Sequence, residues 1–441
     1  MMDRNSLPLL VSLVCAVTIF VGGAFGAGFA VAYKQYWPFE VLRDSGRWIK
    51  SQFVEGGEGR VRHQTDSVFP GGLKTWERLR PSASSEGIFA IVSYNPEVDS
   101  YTLRFWDGAG ALLHEVDVNE ILAGISDEPG FSIPHGFEML SDGSFIVNYI
   151  VHPMMARLDI CGEVMWTNID FFHHSLALTE RGTAWTWRGA PDDYALHQFM
   201  EEFDIESGEV VRSVPLEDVV IAAGENAAYL NRRPEPFPLP PPPGESDGLG
   251  DAFHPNDVEE LPSSMAAAFP QFEAGDLLIS LKSMNLVAVV GPDQRDLKWF
   301  SRGPWSRQHD PDWVADGTIT VFDNNYSSNY IKDVPFGTSS IVSIDPKTNA
   351  VKTLVQDGEV PFQTEAMGKH EWLPSGSVLV VSSHEGRVIE YTSDGVPLTI
   401  FNNISTTDPT RTYHVAHARW LPADFLTDLP SCAPVRLEQV K

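Results

Sequence analysis

Cysteine and positive charge are both scarce in this chain. There are 3 cysteines among 441 residues, and no CxxC pair. This excludes zinc ribbons and disulfide-dense scaffolds. Lys and Arg total 31 against 60 Asp and Glu, a formal charge of -29 with a pI near 4.7. Nucleic acid is therefore excluded as a partner, because phosphate binding needs a basic footprint. An anionic substrate must be drawn in by a local positive site, since the overall field repels it. HxH and HxxxH pairs are missing too, and no carboxylate cluster accompanies the histidines, so neither a metal nor a cofactor is expected.

Glycine and proline are plentiful, at 35 and 32 residues. They suit many short strands joined by tight turns. One long apolar run, Leu7 to Tyr33, carries no charge. It exceeds the roughly 20 residues a spanning helix needs and the about 7–15 of a cleaved signal peptide. Residues 1–34 are thus expected to form an N-terminal transmembrane helix that anchors the chain in the membrane. Arg4 precedes the run while Lys34, Arg43, Arg47 and Lys50 follow it, so charge alone leans toward a cytoplasmic C-terminus. Cys161 and Cys432 fit either one disulfide or two free thiols.

From about residue 85 one pattern recurs. HGFEMLSDGSFIVNYI begins at His135, HSLALTERGTAWTWRG at His174, HPNDVEELPSS at His254, HDPDWVADGTITVFDN at His309 and HEWLPSGSVLVVSSHEGRVIEY at His370. Each copy reads as a short alternating strand, a turn and an apolar strand. Endings such as LDICGEVMW and YTSDGVPLTIF supply a third and fourth strand. An earlier unit, IFAIVSYNPEVDSYTLRFWDGAGALLHEV, has the closing half without the opening histidine. Four antiparallel strands repeated about six times predict an all-β, six-bladed β-propeller. It spans 85–430, after a linker and propeller start over 35–84 and before a tail at 431–441. A proline-rich insertion at about 230–250 cannot join a ladder. It fits a lid, a homo-oligomer contact or a plain linker.

In a four-stranded blade the first strand lines the channel, and the second runs back. His135, His174, His254, His309 and His370 begin first strands, and His384 ends a second strand. All six are therefore expected near one face, with the strand-leading ones closest to the axis. Such a ring fits turn capping, a metal site, or group transfer with one imidazole as nucleophile.

WSRQHDPDWVADGTITVFDNN, FHPNDVEEL with GDLLISLKSMNLVAVVG, and LPSGSVLVVSSHEGRVIEY resemble the bacterial arylsulfotransferase family in order and spacing. The resemblance implies a periplasmic propeller held by its helix in the cytoplasmic membrane. It would transfer a sulfuryl group from an aryl sulfate to a phenol without a nucleotide donor. It places the transient sulfohistidine on His384 and supporting histidines on His254 and His309. Asn256, two residues past His254, would orient it. The family's arginine after the FDN string is missing here, where Asn325, Tyr326, Ser327 and Ser328 follow. Arg307, Lys332 and Arg387 are the candidate substitutes for its charge. A propeller that binds its ligand without turnover is the alternative.

Overall fold

A computed structural model describes residues 63–432 except 125–131, 150–151, 190–197, 227–252, 294, 328–334, 428 and 431. The apolar run, the proline-rich insertion, Lys332 and the tail from 433 lie outside the described residues. Among the described residues no helix is long and apolar enough to cross a membrane.

Six antiparallel sheets make up the six blades. Blade 2 runs Pro134–Met139, Phe145–Tyr149, Met155–Leu158 and Val164–Asn168; blade 3 runs Phe172–Leu178, Thr183–Arg188, Phe199–Asp204 and Val210–Pro215. Blade 4 is Pro255–Glu260, Leu277–Leu281, Leu286–Gly291 and Asp296–Ser301; blade 5 is His309–Trp313, Ile319–Asp323, Ser340–Ile344 and Val351–Val355. Blade 6 is Lys369–Trp372, Val378–Ser382, Arg387–Tyr391 and Pro397–Asn402, with Trp76–Arg78 added at its outer edge. Each first strand touches the first strands of both neighbouring blades, so the six close a ring around the axis.

Blade 1 is built from both ends of the chain. Its outer strands are Ile88–Asn95, Ser100–Asp107 and Leu112–Asp117, and its innermost strand is Val415–Leu421. The unit that lacks an opening histidine in sequence thereby receives one, His417, from the chain's far end. Side-chain geometry explains the hairpins. Asp107 Oδ1 accepts the backbone N–H of Ala109 and Ala111, and Asp159 Oδ1 those of Cys161 and Glu163. Such Asx turns compete well with longer loops. The core lies between blades, as where Trp185 and Trp187 of blade 3 meet Val258 and Ile279 of blade 4. Each such buried side chain contributes about 1.5–3 kcal/mol.

The two outlying cysteines are joined: Cys161 bonds Cys432 across 271 positions. The chain after the last strand crosses blade 2, where Gly143 leaves room for Leu429; a Cβ there would lie 2.6 Å from its methyl.

Candidate active site

Proline and β-bulges shape the mouth of the channel. The first strands of blades 1 to 5 each carry a register shift near their start, where one or two extra residues leave the ladder. The extra residues include Ala416 in blade 1, His135 in blade 2, His174 and Ser175 in blade 3, and Asn256 in blade 4. All of these line one small pocket. A bulge re-aims its residue out of the sheet, and this is how the strand starts reach the axis. Pro134, Pro255 and Pro311 stand at three of the bulges and offer the ladder no N–H. Backbone strain gathers here also: His174, His254, Arg307 and Asp310 have φ of 60°, 44°, 59° and 50°.

Blade 6 has no bulge in its first strand, so its register is offset by one side chain. Lys369 takes the cavity position, and His370 turns away to Thr320, Asp310 and Asp312. The expectation that His370 would stand near the axis with the other leading histidines is therefore corrected. His135, His174, His309 and His417 do line the cavity. His254 is not among the lining residues, but its ring lies 5.0 Å from that of His174, which is 3.8 Å from that of His135. His417 Nε2 donates to the carbonyl of His135 at 2.9 Å.

Burial first, and then neighbouring charges, hold His135, His174, His254 and His309 well below the ordinary imidazole range. For His417 burial pushes the value down to about 3. The cluster is therefore neutral at physiological pH. After burial, the largest influence on both His254 and His309 is the charge of Lys282. This lysine opens the turn that follows the second strand of blade 4, and its N–H donates to the carbonyl of His254 at 3.0 Å. Sequence reasoning missed Lys282. Its signal was its place in GDLLISLKSMN, matching the turn that carries His384 in SVLVVSSHEG.

His309 is the most constrained of the group. Its Nδ1–H donates to Asn324 Oδ1 at 2.7 Å and to the carbonyl of Arg307 at 3.0 Å. Asn324 cannot present the other end of its amide, because its Nδ2 donates to the carbonyls of Thr364 and Met367, both at 2.9 Å. The tautomer of His309 is thus set, with a lone pair on Nε2, which has no hydrogen-bond partner among the described residues. Asn256 donates from Nδ2 to the carbonyl of Gln308 at 2.8 Å, leaving its buried Oδ1 without a partner at the cavity wall.

His384 is placed differently. It sits in the turn Ser383–Glu385 with about a third of its side chain exposed, and is not part of the cavity wall. Its Nδ1 lies 3.2 Å from Glu365 Oε1, and its ring 5.5 Å from that of His414. Arg307 acts on both groups of residues, since its charge reaches His254 and Glu365. Arg387 is held elsewhere, by the carbonyl of Pro361, by Glu385 and against the ring of Phe69. It lines no part of the cavity.

Beneath the histidines the first strands continue as a charged layer. Lys369 Nζ bridges Asp257 and Asp310 at 2.9 and 2.6 Å, and Arg419 pairs with Glu138. Burial pushes Asp312 up to about 8, Glu371 up to about 7 and Asp257 up to about 6. Asp310, Asp312 and His370 stand close enough to hold a metal ion. Both nitrogens of His370 already face these carboxylates, and Lys369 supplies a cation. The group is balanced from within.

The sequence profile of the family described as Arylsulfotransferase (ASST) matches residues 136–402. No individually curated protein matches the chain. Among solved structures, a protein of unknown function from Bacteroides caccae is 10% identical at a TM-score of 0.48, with 76% of this chain and 98% of that one covered. TolB from Acinetobacter baumannii is 12% identical at 0.43, covering 76% and 67%. Virginiamycin B lyase from Staphylococcus aureus is 11% identical at 0.32, covering 60% and 69%. TM-scores this low carry no argument about activity.

Proposed function

Because the chain belongs to the arylsulfotransferase family, we propose that it moves a sulfuryl group from an aryl sulfate to a phenol through a sulfohistidine. The resemblance in sequence put that intermediate on His384; we assign the attack to His309. The observation that carries the assignment is the imidazole of His309, which lines the pocket and is locked by its Nδ1 bonds so that Nε2 keeps its lone pair. A neutral lone pair is what attack on sulfur requires. Lys282, whose charge acts on His254 and His309, and Arg307, whose charge acts on His254, supply positive charge where the family's arginine is missing. Charge develops on the sulfuryl oxygens during transfer, so fixed cations and donors there lower the barrier. Removing one donor from a comparable site costs about 3–4 kcal/mol.

The steps balance without a cofactor. His309 Nε2 bonds sulfur as the S–O bond of the donor breaks, releasing a phenolate. An acceptor phenol then attacks sulfur, the N–S bond breaks, and its proton leaves with a base. We place the propeller outside the cytoplasmic membrane, held by the Leu7–Tyr33 run. The Cys161–Cys432 disulfide supports an oxidising compartment, because cytosolic thiols are kept reduced.

The test mixes the full-length chain with 4-nitrophenyl sulfate and no acceptor. A burst of nitrophenolate equal to the enzyme present is expected, with turnover once phenol is added. His309→Ala should lose both. A wild-type protein that binds the ester and releases no nitrophenolate would favour a binding propeller without turnover.

A further inference from the structure

Blade 3 brings two adjacent buried histidines to the pocket, and the attack on sulfur uses neither. We propose that His174 takes the proton of the acceptor hydroxyl, and that His173 and Gln198 position it for that task. The inference rests on the transferase reading above and adds a base to it.

The geometry starts from the bulge. Neighbouring residues of a regular strand point to opposite faces of the sheet. In the first strand of blade 3, however, Leu176 pairs with Thr186 and His173 with Trp187, so His174 and Ser175 fall outside the ladder. His174 also has a left-handed backbone, at φ 60°. The two rings thereby meet, with Nδ1 of His173 2.6 Å from Nδ1 of His174. One proton fits between these atoms. His173 Nε2–H donates to Oε1 of Gln198 at 3.0 Å, so neutral His173 has its lone pair on Nδ1 and His174 supplies the proton there. His174 is left with a lone pair on Nε2, which has no hydrogen-bond partner among the described residues. Both rings and the Gln198 amide are buried, and burial is the first cause holding His174 well below the ordinary imidazole range.

Two further observations connect this pair to the reaction. His174 and His309 line the same pocket, and the charge of His309 is among those that act on His174. Asn256 lines that pocket too, and its buried Oδ1 lacks a partner. His174 Nε2 and Asn256 Oδ1 are both acceptors. They suit a hydroxyl, which donates, and not a sulfate oxygen, which only accepts.

With the sulfuryl group on His309 Nε2, the acceptor oxygen bonds sulfur as the N–S bond breaks, and the electron pair of that bond returns to His309. The hydroxyl proton passes to His174 Nε2, and the imidazolium so formed releases it to water. The oxygen becomes more acidic as it bonds sulfur, so a weak base is enough. An acceptor that is already a phenolate has no such proton to lose.

The full-length chain is charged with 4-nitrophenyl sulfate, and transfer to phenol and to pentafluorophenol, which is ionised at neutral pH, is followed by mass spectrometry. His174→Gln keeps an acceptor oxygen and cannot hold the proton. Its transfer to phenol should fall by roughly tenfold or more beyond its transfer to pentafluorophenol. His173→Phe, which releases the tautomer of His174, should shift the same ratio in the same direction. The ratio does not depend on how much of a variant folds. Equal losses with the two acceptors would overturn the proposal, since a residue that only shapes the pocket affects both alike. Absence of the nitrophenolate burst in the wild type would instead sink the transferase reading, so the two failures are distinguishable.

Discussion

Asn324 shows how much one side chain settles. In the FDN string Phe322 packs between blades, Asp323 accepts the N–H of Ser306 and Asn325, and Asn324 fixes the proton of His309. The motif was legible, but the roles of its three residues were not, because each contacts a different segment. The buried acids bring a pH consequence. Asp312 has a folded value of about 8 against an unfolded one near 4, so the folded state binds the extra proton between them. The stability this brings is complete below the unfolded value and is lost as pH rises through about 8. The buried histidines have the opposite sign, since their lowered values make stability fall as pH drops below about 6.5. Asp312→Asn cannot ionise. Its melting temperature should fall less than that of the wild type between pH 7 and pH 9, by a few degrees. Parallel melting curves would contradict the protonated state.

The decisive element is the first strand of each blade. Five bulge and one does not, and that single difference exchanges a histidine for Lys369 at the cavity. Prolines at three of the bulges were a readable signal, since a strand residue without an N–H marks an irregular ladder. Histidine spacing alone cannot reveal it, because a one-residue offset reverses which side chain faces the axis. Lys369 is held by two buried carboxylates. Lys369→Met leaves both without their cation and should cost about 3–5 kcal/mol in urea unfolding. A loss below 1 kcal/mol would mean that the acids are protonated independently of the lysine.

At the scale of the whole molecule the ring is closed by chain ends. The last strand completes blade 1, a segment near the first described residues adds an edge to blade 6, and the disulfide ties the end of the chain to blade 2. Cys161→Ser should lower stability by about 2–5 kcal/mol. A reductant should lower the melting temperature of the wild type toward that of the variant while leaving the variant unchanged. Equal stability of the two proteins under oxidising conditions would show that the bond adds nothing to the fold.

Sequence alone determined the architecture, because the alternating apolar strands and their Asp and Gly turns are local signals that recur with each blade. It also identified the face on which the histidines gather, since strand direction follows from repeat order. Tertiary structure decided which of them meet. Bulge register, the return of the last strand to blade 1 and the lysine from a neighbouring turn are relations between segments far apart in the chain. No local pattern carries them, and they alone decide which residues line the pocket.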